Sequence, residues 1–142
     1  MPVTHVPISI SDASTYTVDS DNSGLVHYVP DLTASCTITL PTPKAGLWFE
    51  FVYAGVAADA QNWVIDSGST TNYYIGGLVH LDTDANAAGD EVVPIAGNGS
   101  SNSKLTVVTP DVGTRVRVES ANGTVWILSG YVASATVPSF AD

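Results

Sequence analysis

Leu47-Trp48-Phe49-Glu50-Phe51-Val52-Tyr53 is the stretch that decides the fold. Successive side chains of an extended segment point to opposite faces. A strand here puts Leu47, Phe49, Phe51 and Tyr53 on one face, and Trp48, Glu50 and Val52 on the other. The same alternation recurs on either side of it. Tyr16-Thr17-Val18, Val26-His27-Tyr28-Val29 and Thr37-Ile38-Thr39-Leu40 precede it. Trp63 to Asp66, Tyr73 to Ile75, Leu78 to Leu81, Glu91 to Ile95, Leu105 to Val108, Arg115 to Glu119 and Thr124 to Leu128 follow. Gly, Asn, Asp and Pro separate these runs, which is the punctuation of short strands and tight turns. Apolar residues nowhere recur at helical spacing over three turns, and the Ala-rich stretches 54–60 and 85–88 are short. The expectation is an all-β fold of about ten short strands without substantial helix, an antiparallel β-sandwich of jelly-roll-like form.

Two loops have a mechanism. Asn122-Gly123 lies between alternating arms, Arg115 to Ser120 and Thr124 to Ser129, and predicts a type I′ hairpin. Val116 and Val118 then face the core while Arg115, Arg117 and Glu119 face out; the second arm is apolar on both faces. The long polar stretch 97–103 reads as a mobile surface loop. No linker, charge block or internal repeat divides the chain, so 1–142 reads as one domain. Residues 1–12 alternate but carry prolines at 2 and 7, which suits an edge strand or an arm laid on a neighbour. The tail 134–142 loses the alternation and is expected to be loosely attached unless Phe140 anchors it.

Composition narrows the function. Hydrophobic residues make up 44% of the chain, enough for a core, whereas charged residues are only 13%, so Ser, Thr, Asn and Gly must cover the surface. Fourteen acids against four bases give a net charge of −10. That balance opposes binding to nucleic acid and to anionic membrane surfaces. The single cysteine, Cys36, excludes an internal disulfide and reads as a small buried hydrophobe. The first residues lack the charged and apolar regions of a signal peptide, which points to synthesis in a cytoplasm.

Candidate chemistry is sparse. Val64-Ile65-Asp66-Ser67-Gly68-Ser69 has the form of an aspartic-protease loop, but one copy would require a retroviral-type homodimer; the competing reading is a strand-ending turn capped by Asp66. Asp19-x-Asp21-x-Ser23-Gly24 matches the first half of a calcium loop, yet Pro30 stands where a bidentate Glu belongs. Asp82-x-Asp84-x-Asn86 lacks both the glycine and the late Glu. His5, His27 and His80 share no ligand spacing, although copies of one histidine would meet on a three-fold axis. No cofactor fingerprint is present, and the chain reads as no enzyme, with calcium at most incidental.

Ile38-x-Leu40-Pro41, Ala45-Gly46-Leu47-x-Phe49-x-Phe51, Asn62-x-Val64-Ile65 and Ile75-x-Gly77 follow one another in an order that resembles tailed-bacteriophage virion proteins. Gly113-x-Arg115-Val116-x-Val118-x-Ser120-x-Asn122-Gly123-x-Val125-Trp126 resembles the closing hairpin of the same module. The resemblance is to head-decoration (cement) proteins or related virion surface modules. It implies a non-enzymatic homotrimer on the capsid surface of the virion, bound to the major capsid protein. Candidate contact residues are His5, Ile8, Tyr16, Trp48 and Trp126, with ordinary core as the competing reading for both tryptophans. The alternative function is a receptor- or glycan-binding tail-fibre tip, with Trp63, Tyr73, Tyr74 and the loop 97–103 as a sugar platform.

Overall fold

Two facing sheets built from twelve strands make up the computed structural model, which describes residues 6–84 and 92–142. In chain order the strands are β1 (Ile8–Ser9), β2 (Thr15–Thr17), β3 (Val26–Val29), β4 (Cys36–Thr39), β5 (Trp48–Tyr53) and β6 (Trp63–Asp66). They continue with β7 (Tyr74–Asp82), β8 (Val92–Ala96), β9 (Lys104–Val107), β10 (Arg115–Glu119), β11 (Trp126–Ser134) and β12 (Ser139–Ala141). The only helical element among the described residues is a 3-10 turn at Ser20–Asn22. All-β is therefore the architecture.

The larger sheet has the order β1-β3-β5-β10-β11-β7-β8, and the smaller one β12-β9-β6-β4-β2. From β1 to β6 the chain crosses from one sheet to the other at every step. Each coil re-enters its sheet in the same direction, so β1, β3 and β5 pair in parallel, as do β2, β4 and β6. Antiparallel strands then complete both sheets, with β9 beside β6 and β10 beside β5. The β10–β11 and β7–β8 pairs are antiparallel, and β7 joins β11 in parallel. Five of the ten strand pairings are thus parallel. The expected antiparallel sheets are corrected to mixed ones, because successive strands stack across the core instead of folding back as hairpins.

The alternation read in the sequence sets the core. Phe49, Phe51 and Tyr53 are buried while Trp48, Glu50 and Val52 are only partly so. Val116 and Val118 are buried between the outward-facing Arg115, Arg117 and Glu119. From the smaller sheet Ile38, Ile65, Leu105 and Val107 meet them, and Trp63 and Trp126 fill the interior. Both are fully buried, so Trp126 is a core residue and not a contact residue.

Three local expectations change. Asn122 does not take a positive φ; among residues 120–125 only Gly123 does, at 77°. The Asn122 Oδ1 instead accepts from the N–H groups of Thr124 and Val125, and the last strand pair, Glu119 with Ile127, leaves a wider loop than a type I′ turn. Tyr73 to Ile75 and Leu78 to Leu81 fuse into the single strand β7 across Gly76-Gly77. A Cβ on Gly76 would lie 2.7 Å from the Leu128 carbonyl oxygen, so glycine there lets β11 close against β7. The tail is not loose. Phe140 packs against the core within β12, which pairs with β9.

Candidate functional site

The expected contact residues are sorted by the strand order. Ile8 lies on β1, the edge of the larger sheet, and Tyr16 lies on β2, the edge of the smaller one. These two edges are on the same side of the molecule, since β1 and β2 form the first coil and the ring of Tyr16 meets that of His27 on β3, 6.2 Å away and edge-on. Both residues are half-buried. Burial, followed by the charge of Asp19, raises the Tyr16 phenol above its ordinary value. Among the described residues neither edge has a strand partner on its outer side, so both present unpaired backbone N–H and C=O groups. His5 lies outside the described residues.

Trp48 is elsewhere, on the outer face of the larger sheet. The guanidinium of Arg117 sits 4.1 Å above its ring, and Arg117 also pairs with Glu119 at 3.2 Å. A shallow hollow of about 240 Å³ opens beside it, lined by Gly46, Leu47, Trp48, Glu119, Ser120 and Ala121. This is small against the ~300–1,000 Å³ of ordinary ligand pockets.

The glycan platform does not form. Trp63 and Tyr74 are fully buried, and the Tyr74 hydroxyl donates to the Ile65 carbonyl at 2.9 Å. Burial pushes that phenol well above its ordinary value, with Asp66 adding to the shift. The loop 97–103 is laced by its own bonds: Asn98 Oδ1 accepts from the N–H groups of Ser100 and Ser101, and Gly99 donates to Tyr74.

The catalytic lookalike is a turn. Asp66 ends β6, and its Oδ1 accepts the Gly68 N–H at 2.8 Å, which is the cap read as the competing possibility. Asp19 likewise caps the 3-10 turn by accepting the Asp21 N–H, and Asp82 accepts that of Asp84. Asn86 lies outside the described residues. Among those described, no group of three or more His, Cys, Asp or Glu side chains is placed to hold a metal ion. Cys36 is fully buried, and burial, with Asp12 behind it, raises its thiol pKa.

Three features emerge only from the packing. His27 is fully buried on β3: its Nδ1 faces the Leu25 carbonyl at 3.2 Å, Nε2 has no partner, and Tyr16, Phe49 and Phe51 surround the ring. Desolvation lowers its pKa, partly offset by the Leu25 carbonyl. Asp59 is almost fully buried and accepts the N–H groups of Leu32 and Gln61. Burial raises its pKa, and together with Asp31 and Asp111 it contributes, after desolvation, to pushing the nearby Tyr53 phenol up to about 12.

The third feature is a transverse row. Ser9, Tyr28, Val52, Arg115, Tyr131, Val79 and Pro94 stand side by side, one from each strand of the larger sheet. All point outward, and Tyr28, Tyr131 and Val79 are exposed. The smaller sheet differs: its outer rows run Thr15, Thr37, Val64, Thr106, Ser139 and Thr17, Thr39, Asp66, Lys104, Ala141. The row on the larger sheet mixes apolar side chains and two tyrosine rings with Ser9 and Arg115, whereas the rows on the smaller sheet are mostly hydroxyls. The signal for both was already present in the alternation, but the row appears only once strands far apart in sequence are set in register.

Comparison of the chain with protein-family models, with curated proteins and with solved structures finds no match.

Proposed function

We propose that this chain is a non-enzymatic structural protein of a tailed-phage particle, a decoration protein that binds the outer capsid surface as a homotrimer. The observation that carries this reading is the pair of open edges, β1 and β2, on one side of the molecule. A strand edge offers main-chain hydrogen bonds to any extended segment laid against it. Two edges together, with Ile8 and Tyr16 on them, make a side suited to joining the sheets of a neighbouring subunit. The proposed neighbour is the major capsid protein. A module that spans the joint between two capsid subunits buries area only in the assembled shell and stabilises that shell by mass action.

The remaining features agree with it. The net charge of −10 opposes contact with nucleic acid and with anionic lipid, and keeps a high-copy coat protein soluble. The jelly-roll-like part of the fold expectation belongs to the same reading, in which one chain wraps two facing sheets around a single core. A tail-fibre tip would need its aromatic platform at the surface, whereas Trp63 and Tyr74 are interior.

Co-sedimentation with empty shells of the phage that carries the protein is the test. Binding to expanded shells, lost in Tyr16→Ala and absent with unexpanded shells, is the expected result. A chain that pellets with no shell of either kind overturns the proposal.

A further inference from the structure

The outer face of the larger sheet carries two matched ion pairs. Arg115 pairs with Glu50 at 3.1 Å, and Arg117 with Glu119 at 3.2 Å. Two of the four basic residues of the chain are therefore here, each matched by an acid, so these four charges sum to zero. The other twelve acids are answered by Lys44 and Lys104 alone. Copies of such a chain repel one another through most of their surface. The locally neutral face of the larger sheet removes that barrier.

Beside this neutral strip, Tyr131, Val79, Leu81 and Val92 are exposed on three adjoining strands, Val92 at 67%. Contiguous apolar exposure of this kind marks an interaction surface more often than a solvated one. Six strand spacings make the sheet about 29 Å wide, and three outward rows make it about 20 Å tall. The resulting area of roughly 600 Å² compares with the ~800 Å² that each partner contributes to a standard stable interface, and around a three-fold axis it is shared between two neighbours. The smaller sheet also carries a balanced pair, Asp66 and Lys104, but its Thr hydroxyls keep their solvation and give little drive to dock.

We infer that copies of this chain meet through the outer face of the larger sheet, with Tyr131, Val79 and Leu81 at the centre of the contact. Around a three-fold axis the sheet turns inward, leaving the hydroxyl face outside and the β1–β2 edges free. This deepens the trimer part of the proposed function and rests on it there; capsid binding is measured separately.

Sedimentation equilibrium of the full chain is the test, with Tyr131→Glu and Val79→Glu as interface variants and Thr37→Glu on the smaller sheet as control. Circular dichroism checks that each variant is folded. The parent and Thr37→Glu are expected at three times 14.7 kDa. Each interface variant should raise the dissociation constant by about tenfold or more, the scale of one interface anchor. A folded parent that stays at 14.7 kDa up to about 100 μM overturns the inference. So does an oligomer that both folded variants leave intact. A dimer sensitive to the variants upholds the face and overturns the trimer. Unfolding of one variant leaves the other to decide, and Arg117→Glu, which unbalances the charge of the face at a half-buried position, is expected to weaken the oligomer in the same way.

Discussion

Gly130→Ala should destabilise the fold far more than a glycine substitution in open space. Gly130 lies in the middle of β11 with φ at 119°, and a Cβ built there falls 2.2 Å from the carbonyl oxygen of Arg115. Carbon and oxygen normally approach to about 3.3 Å. The methyl group therefore demands a shift of about 1 Å between β10 and β11, enough to spoil the ladder bonds on either side. Backbone strain at such a φ costs about 1–2 kcal/mol. Two weakened ladder bonds add about 2 kcal/mol, for a total of roughly 3–4 kcal/mol. Gly113 supplies the control: its φ is 99°, and nothing lies within 4 Å of a built Cβ. Gly113→Ala should cost only the strain, about 1–2 kcal/mol. Urea unfolding followed by tryptophan fluorescence reads both variants, because Trp63 and Trp126 are fully buried and report loss of the core. The melting temperature of Gly130→Ala should fall by roughly 10 °C or more. If the two variants lie within about 0.5 kcal/mol of each other at unchanged m-value, the close approach of β10 to β11 at Gly130 is wrong.

Three further outcomes follow from buried groups. Burial lowers the His27 pKa below its ordinary 6.5, so as pH falls through 6.5 the unfolded chain takes up the proton first and stability declines. His27→Gln should flatten the urea midpoint between pH 7.5 and 5 relative to the parent; an unchanged slope would show that His27 is not the group responsible. Asp59→Ala leaves the N–H groups of Leu32 and Gln61 without their acceptor and should cost about 1–3 kcal/mol in the same assay. Cys36 should resist a thiol reagent in the folded protein and react fully in urea, since it is wholly buried with a raised pKa; rapid labelling under native conditions would contradict its placement.

The elements were legible because each needs only local information. Alternation in Trp48–Tyr53 and Arg115–Glu119 marked both strands and their inner faces. The mixed pairing was not legible, because the coils differ in length. Ile8 pairs with His27, an offset of 19, whereas Cys36 pairs with Trp63, an offset of 27. Without a fixed period no repeat appears in the sequence, and short strands punctuated by turns then look like hairpins. The contact residues were legible only in part. Trp48 and Trp126 both occupy apolar stretches, and only the packing separates the ring under Arg117 from the one sealed in the core. The outward row through Tyr28, Tyr131 and Val79 depends on register between distant strands, which periodicity does not encode.

The position of β10 between β5 and β11 governs the order of events during synthesis. Until residues 115–119 leave the ribosome, β5 has no neighbour on that side, and until β9 emerges β6 is likewise unpaired. At about 5–20 residues per second, the stretch from Tyr53 to Arg115 takes roughly 3–12 s to make. A first half wound before then would carry two unpaired edges, at β5 and β6, a template for cross-pairing between nascent chains on one polysome. Yield of soluble protein should therefore depend on translation speed and temperature more steeply than the stability of the finished fold would suggest.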